Sequence, residues 1–446
     1  MPQGPREMPL SGPAVVYDVT RLVTRGLNLA PNGIDRVDFA LARHFIEAGA
    51  TPLACAALGP RLADRDDALA AIAAIEAFWR EDADVSRDAV YLALVAALTA
   101  PYDAARRPLR LARRPAGEQI LRNGRALLDW GLRLGRPPTA APAGAVYLNA
   151  TQFLLDRPWY VHWLTARPDV SMVAFVHDLL QVDHPEFFRP REAALHPRRN
   201  RAICRRAAGV LAASETVARR FERFAAENGR HDLPVRVAPL PPAPVFTLPQ
   251  APPEELAGAD YFVVCGTIEP RKNHLLLFNV WRELARTARP PKLVVVGKRG
   301  WLNETVVDMM SRAPALRASV IEAGGLSTPG LRRLIAGARA LLMPSFGEGF
   351  GLPVVETLAC GAPVIASDLA VFRETAGDAP DYLDPLDGPG WRQAVRDYAE
   401  PGSRRRAAAL SRMAGRSFAA PPSVFFETVE AFLADLRNGR GASGTQ

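Results

Sequence analysis

The chain has 446 residues, 48% hydrophobic and 23% charged, with a formal net charge of +8. That length exceeds one ordinary core and predicts two domains, and the composition is that of a soluble globular protein. No run of about 18 apolar residues predicts a membrane span. The start MPQGPREMPLSGPAVV lacks the apolar segment of a secretory leader, and the dispersed Cys55, Cys204, Cys265 and Cys360 form no CxxC pair. The expectation is a cytoplasmic chain with free thiols, without a zinc site.

In chain order, short apolar segments ending in polar loops predict strands at 14–20 (AVVYDVT), 145–151 (AVYLNAT), 171–178 (SMVAFVHD) and 208–214 (AGVLAAS). IDRVDFALARHFIEAG, 34–49, reads as a helix between the first two. The alternation is that of a doubly wound, mostly parallel α/β sheet. It lapses over 79–143, where Arg106 to Arg136 carries nine arginines against Glu118 and Asp129. There EQILRNGRALLDWGLRLGR sets arginines on one helical face and Leu and Trp130 largely opposite. Such a basic helix suits the anionic inner face of a cytoplasmic membrane, or packs on the N-terminal domain with a solvated arginine face.

From Pro234 to Pro253 there are eight prolines in twenty residues, which marks an interdomain connector. After it the rhythm resumes with strands at 261–267, 292–298, 319–324, 338–345 and 362–367, and a helix from about 273. A last helix over 423–438 precedes the tail GRGASGTQ. The expected organisation is residues 1–235 as a first domain carrying the insertion, 236–255 as linker and 256–420 as a second domain. Helix 421–438 then returns toward the first domain and 439–446 is a flexible tail. Ligands of open α/β sheets sit at the carboxyl ends of strands, which directs attention to the loops after 267, 298, 324 and 345.

Two of those loops carry chemistry. In GTIEPRKNH, 266–274, a strand gives way to a turn and a helix, with Arg271 and Lys272 beside backbone N–H groups; the set suits a diphosphate. In SFGEGFGLPVVETLACGAPVIAS, 345–367, Glu348 sits on a glycine-rich loop and Glu356 about one turn into the next helix. Carboxylates accept hydrogen bonds from sugar hydroxyls, so amides for phosphate and carboxylates for hydroxyls together describe a nucleotide-sugar site. Only three of the 55 basic residues are lysine, Lys272, Lys292 and Lys298, which hints that a compact ammonium is wanted at those places. Two DxD triplets, Asp64–Asp66 and Asp82–Asp84, lie in helix-like sequence with no preceding strand and are not read as metal sites.

Glu348-GFGLPVV-Glu356 resembles the E-x7-E motif of retaining glycosyltransferases of the GT-B fold, the family-four or group 1 type. GTIEPRKNH resembles their phosphate-binding turn. The likeness is strong over roughly 260–420 and weaker in YDVTR…NGIDRV, FVHDLL and Ser214-Glu215-Thr216. It implies two Rossmann-like domains facing across a cleft. It also implies that Glu348 binds donor-sugar hydroxyls and Glu356 the ribose. Arg271 and Lys272 would balance the diphosphate as catalytic cations. The amides of Gly349, Phe350, Gly351 and Leu352, with Gly266, Thr267 and Lys298, would complete the donor site. Gly33 would face the diphosphate from the other domain, and His177 would lie beside the donor sugar as a catalytic residue. Many relatives carry arginine where this chain has Thr267, and Arg271 is expected to substitute.

The resemblance thus implies a metal-independent, cofactor-free hexosyltransferase of mannosyltransferase type acting from a nucleotide sugar, GDP-mannose first. Its acceptor would be a glycan or lipid-linked glycan in bacterial surface-polysaccharide synthesis, and no nucleic-acid partner is expected. A UDP-sugar donor and a non-catalytic nucleotide-sugar or glycan-binding protein are the alternatives. A glycoside hydrolase would also use two carboxylates, but would not need the Arg-Lys turn.

Overall fold

The computed structural model describes residues 12–25, 31–56, 59–79, 84–103, 107–112, 135–249, 251–286 and 290–443. Fourteen strands among them form two seven-stranded sheets. The first has the order β3-β2-β1-β5-β6-β7-β8, with β1 Val15–Asp18, β2 Thr51–Ala56, β3 Gly59–Leu62, β5 Val146–Asn149, β6 Ser171–Val176, β7 Ala207–Ala212 and β8 Val235–Val237. The second has the order β14-β13-β12-β9-β10-β11-β4, from β4 Leu109–Ala112, β9 Tyr261–Cys265, β10 Lys292–Val296, β11 Val320–Gly324, β12 Leu341–Met343, β13 Val364–Ser367 and β14 Asp381–Leu383. All pairings are parallel except β2 with β3. Buried on both faces, strands such as β6 and β10 read as unbroken apolar runs.

Each sheet reverses its winding direction once, between β1 and β5 in the first and between β9 and β12 in the second. Crevices at such switch points are where doubly wound sheets take ligands. The phosphate-type turn follows β9 and the glycine-rich loop follows β12, so the two motifs leave adjacent strands at the same end of one sheet.

The insertion departs from expectation. Its described residues within 85–112 pack on the second sheet, while its described end stays with the first, where Arg136 bridges Leu62 of β3 and Ala141 is buried in that domain's core. β4 pairs in parallel with β11, and helix Ala89–Thr99 buries Val90, Tyr91, Leu94 and Leu98 in the second core. Lys292 explains how the segment is held. Lys292 is 8% exposed, and its ammonium donates to the carbonyls of Ala97, Leu98 and Ala100 at 2.8–2.9 Å, capping that helix's C-terminus. Three divergent carbonyls suit a tetrahedral ammonium better than a planar guanidinium. Most of the basic 106–136 segment, residues 113–134, lies outside the described residues.

The linker expected over 236–255 begins inside β8, and its Phe246, like Leu256 just beyond it, is buried in the second core. The last helix runs Pro422–Ser443, longer than expected, so it takes in much of the predicted tail. Its Phe425, Val429, Phe432 and Leu433 pack into the first domain's core. The DxD carboxylates serve as caps: Asp64 Oδ1 accepts from the Asp66 and Asp67 amides and Asp84 Oδ1 from Ser86, while Asp82 lies outside the described residues.

Candidate functional site

The turn after β9 closes as a short 3-10 segment, Pro270–Lys272, followed by Asn273 in the left-handed region (φ 53°) and helix His274–Leu284. This geometry sends the Arg271 and Lys272 side chains toward the loop after β12. Lys272 Nζ lies 2.6 Å from Glu348 Oε1, and Arg271 NH1 lies 2.8 Å from Glu348 Oε2. The three side chains are only 14%, 9% and 9% exposed for Arg271, Lys272 and Glu348. Burial alone would raise the Glu348 carboxyl, but Arg271 and then Lys272 outweigh it and hold it at about 2. Arg271 is further fixed by Glu269 Oε1 at 2.7 Å and the Gly347 carbonyl at 2.6 Å. The two motifs, 76 residues apart, therefore form a single charge cluster at the carboxyl ends of β9 and β12.

Three of the glycine positions have reasons other than ligand approach. A Cβ on Gly349 would lie 2.2 Å from the His177 carbonyl oxygen, so the loop must be bare there to meet the first domain. Gly351 has φ +88° and opens helix Leu352–Ala359, and a Cβ there would lie 2.5 Å from the Phe372 ring. Gly266 is crowded by the Lys272 side chain, whose Cε would stand 3.0 Å from an added Cβ. Thr267 packs against the 298–300 turn through Gly300, while Lys298 is exposed and its carbonyl accepts from the Ile268 amide. The Phe350 side chain turns away into the first domain's core. Leu352 reaches Gly33, whose Cβ position is 3.4 Å from Leu352 Cδ1.

The first domain closes over this loop. Ser214 Oγ donates to the Gly349 carbonyl at 2.9 Å, the Phe187 and Phe346 rings stack at 5.4 Å, and Trp301 Nε1 donates to the Phe187 carbonyl. Glu374 accepts from the Glu215 and Thr216 amides and the Thr216 hydroxyl at 2.6–3.0 Å, capping helix Glu215–Glu227 from the opposite domain. His177 sits at the end of β6, 9% exposed, with Nε2 2.7 Å from the Ala150 carbonyl. A carbonyl only accepts, so Nε2 carries the proton. Burial holds the imidazole down at about 4, which makes it neutral at physiological pH.

Residues 251–381 match the family model of glycosyl transferases group 1. The second domain is a group 1 glycosyltransferase domain. Serotype-specific mannosyltransferase WbdA of Escherichia coli is 31% identical over 224 residues, 47% of this chain and 27% of that relative. O-antigen chain mannosyltransferase B, also of Escherichia coli, is 34% identical over 149 residues, 33% of this chain and 39% of the relative. The chain thus spans well under half the length of the curated relatives it matches. Among solved structures, Anabaena Alr3699/HepE in complex with UDP and glucose aligns with a TM-score of 0.59 at 14% identity, over 94% of this chain and 99% of that one. A glycosyltransferase from Rickettsia africae aligns with a TM-score of 0.54 at 12% identity, over 96% and 99%. The fold is GT-B.

Within the group 1 domain, Glu356 lies on helix 352–359 and is 4% exposed, and the first domain reaches it. Arg36 NH1 contacts Glu356 Oε1 at 3.0 Å. Both residues also line a mainly apolar cavity of about 550 Å³ between helix Gly33–Glu47, the 241–245 segment and the last helix. Sequence reasoning named neither Arg36 nor Glu374, because each acts on residues more than 150 positions away. Glu269 and Asp178 were also missed. Burial raises both carboxyls, and Arg271 pulls both down, so the cation pair is flanked by three acidic side chains. FVHDLL, with its acid at the end of a strand, was the available signal for Asp178. Among the described residues no group of three or more His, Cys, Asp or Glu could hold a metal ion, and no helix is long and apolar enough to cross a membrane.

Proposed function

We propose that this chain is a retaining hexosyltransferase that moves mannose from GDP-mannose to a glycan or lipid-linked acceptor in bacterial surface-polysaccharide synthesis. The observation that carries the reading is the Arg271–Lys272–Glu348 cluster at the strand ends of a group 1 domain. Mannosyltransferase relatives support the choice of sugar. In this reading the donor's diphosphate takes over the two cations, which neutralise charge as the nucleotide leaves. Glu348, released from part of its ion pairing, accepts hydrogen bonds from the sugar hydroxyls, and Glu356 accepts them from the ribose. The Lys272 and Arg271 charges are built into the fold, so the reaction needs no metal ion. His177, neutral and fixed through Nε2, presents its other ring nitrogen as an acceptor beside the glycine loop. The enzyme works in the cytoplasm, at or near the inner membrane face where lipid-linked acceptors are held.

The test is release of nucleoside diphosphate from a panel of GDP-, UDP-, ADP- and dTDP-sugars in EDTA. GDP-mannose should turn over, and Lys272→Ala should abolish the turnover. No turnover of any donor, or turnover unaffected by Lys272→Ala, would sink the proposal. Preference for a UDP-sugar would replace the donor and leave the rest standing.

A further inference from the structure

We infer that Arg36, from the first domain, is the positioning residue that sets the Glu356 carboxylate for the ribose and so makes the enzyme discriminate ribose from deoxyribose. The inference rests on the assignment of Glu356 to the ribose made above.

Arg36 is held where it can do this. It lies in the first turn of helix Gly33–Glu47, whose start is built as a capping box. The Asn32 side chain accepts from the Asp35 amide, and the Asp35 carboxylate accepts from the Asn32 amide. Asp35 is also paired with Arg21 NH2 at 2.9 Å, which ties the helix start to the segment after β1. From this fixed turn the guanidinium crosses the cleft and uses two of its arms. NH1 contacts Glu356 Oε1 at 3.0 Å and NH2 donates to Thr328 Oγ1 at 3.2 Å. Thr328 and Glu356 are each 4% exposed and open or occupy different helices of the group 1 domain, Thr328–Ala336 and Leu352–Ala359. A third group, the Ala243 amide of the proline-rich connector, lies 3.5 Å from the same Glu356 oxygen.

A buried carboxylate needs a counter-charge, and here a residue of the opposite domain supplies it. The planar fork fixes the direction of approach as well as the charge, because one plane must satisfy a carboxylate and a hydroxyl at once. A carboxylate that is oriented in advance can accept from a diol without rotating. One left to choose its own rotamer loses the selectivity that orientation supplies. The Cys265 thiol reports how tightly these groups converge. At the carboxyl end of β9, burial and then Glu356 push it up to about 11, while Arg36 and Lys272 pull it down. Arg36 therefore stands on the same patch of the second sheet as the cation turn.

The experiment is calorimetric titration of wild type, Arg36→Met, Arg36→Lys, Thr328→Val and Glu356→Ala with GDP and with 2′,3′-dideoxy-GDP. The UDP pair replaces the GDP pair if UDP is the nucleotide that binds. Wild type should bind the dideoxy form at least about tenfold more weakly. Glu356→Ala should remove the preference, Arg36→Met should cut it to within about threefold, and Arg36→Lys should fall between wild type and Arg36→Met. Thr328→Val keeps the ion pair and the fold's volume but removes the second arm's acceptor, and should weaken the preference in part. A preference lost in Glu356→Ala but intact in Arg36→Met overturns the inference. So does equal weakening of both nucleotides by Arg36→Met with their ratio unchanged, which would be a structural effect alone. A preference intact in Glu356→Ala overturns the ribose assignment itself.

Discussion

Replacing Glu348 with glutamine removes a charge from between two buried cations while keeping the shape of the side chain. Its carboxyl is held at about 2, against an ordinary value of 4.5. That difference corresponds to about 3 kcal/mol of folding free energy at neutral pH. The sign follows from proton binding. Between about pH 4.5 and 2 the unfolded chain binds the proton more strongly than the folded one, so this stabilisation is present above pH 4.5 and fades as pH falls toward 2. Glu348→Gln should therefore be about 3 kcal/mol less stable than wild type at pH 7, with the gap shrinking to roughly half that near pH 3. Denaturant titration followed by tryptophan fluorescence reads this, since Trp281 and Trp391 are fully buried in the second domain. Equal stability of the two proteins at pH 7, or a gap that does not narrow in acid, would refute the account of the cluster.

Glu374→Ala removes a cap that one domain places on a helix of the other. It should cost about 1 kcal/mol and increase the radius of gyration in X-ray scattering, and an unchanged profile would count against a closed cleft held at this point. Lys292→Met leaves three helix-end carbonyls without their donor. It should cost about 2–3 kcal/mol and raise hydrogen exchange across 89–112 while sparing β6 and β7. His177 and His196 are held down at about 4 by burial, so unfolding takes up protons between pH 6.5 and 4. The melting temperature should fall as pH drops through that window, with a shallower slope in His177→Gln, and the rate profile from pH 5.5 to 8 should show no titration of His177.

The second domain was legible because its strands are buried on both faces and read as apolar runs. Its two chemical motifs also sit in the short loops directly after β9 and β12. The first domain gave up β1, β5, β6 and β7 for the same reason. β4 was not legible: LRLA is four residues long, alternates in polarity, and finds its partner β11 more than 200 positions away. Its place depends on Lys292 and on the edge that β11 would otherwise leave open. The glycine loop is a place of close approach, as its sequence suggests, but two of the approaching surfaces are protein, His177 for Gly349 and Phe372 for Gly351. Arg36 in NGIDRVDF looks like any polar position on an amphipathic helix. Only the meeting of the domains gives it Glu356 and Thr328 as partners.

The most direct test of the donor site is to measure the affinity of GDP-mannose relative to GDP in wild type, Glu348→Ala and Glu356→Ala. If Glu348 serves the sugar and Glu356 the ribose, Glu348→Ala should lose most of the gain that mannose adds while changing GDP binding little. Glu356→Ala should weaken both ligands by the same factor. Equal loss of both ligands in Glu348→Ala, or loss of the mannose increment alone in Glu356→Ala, would contradict the assignment.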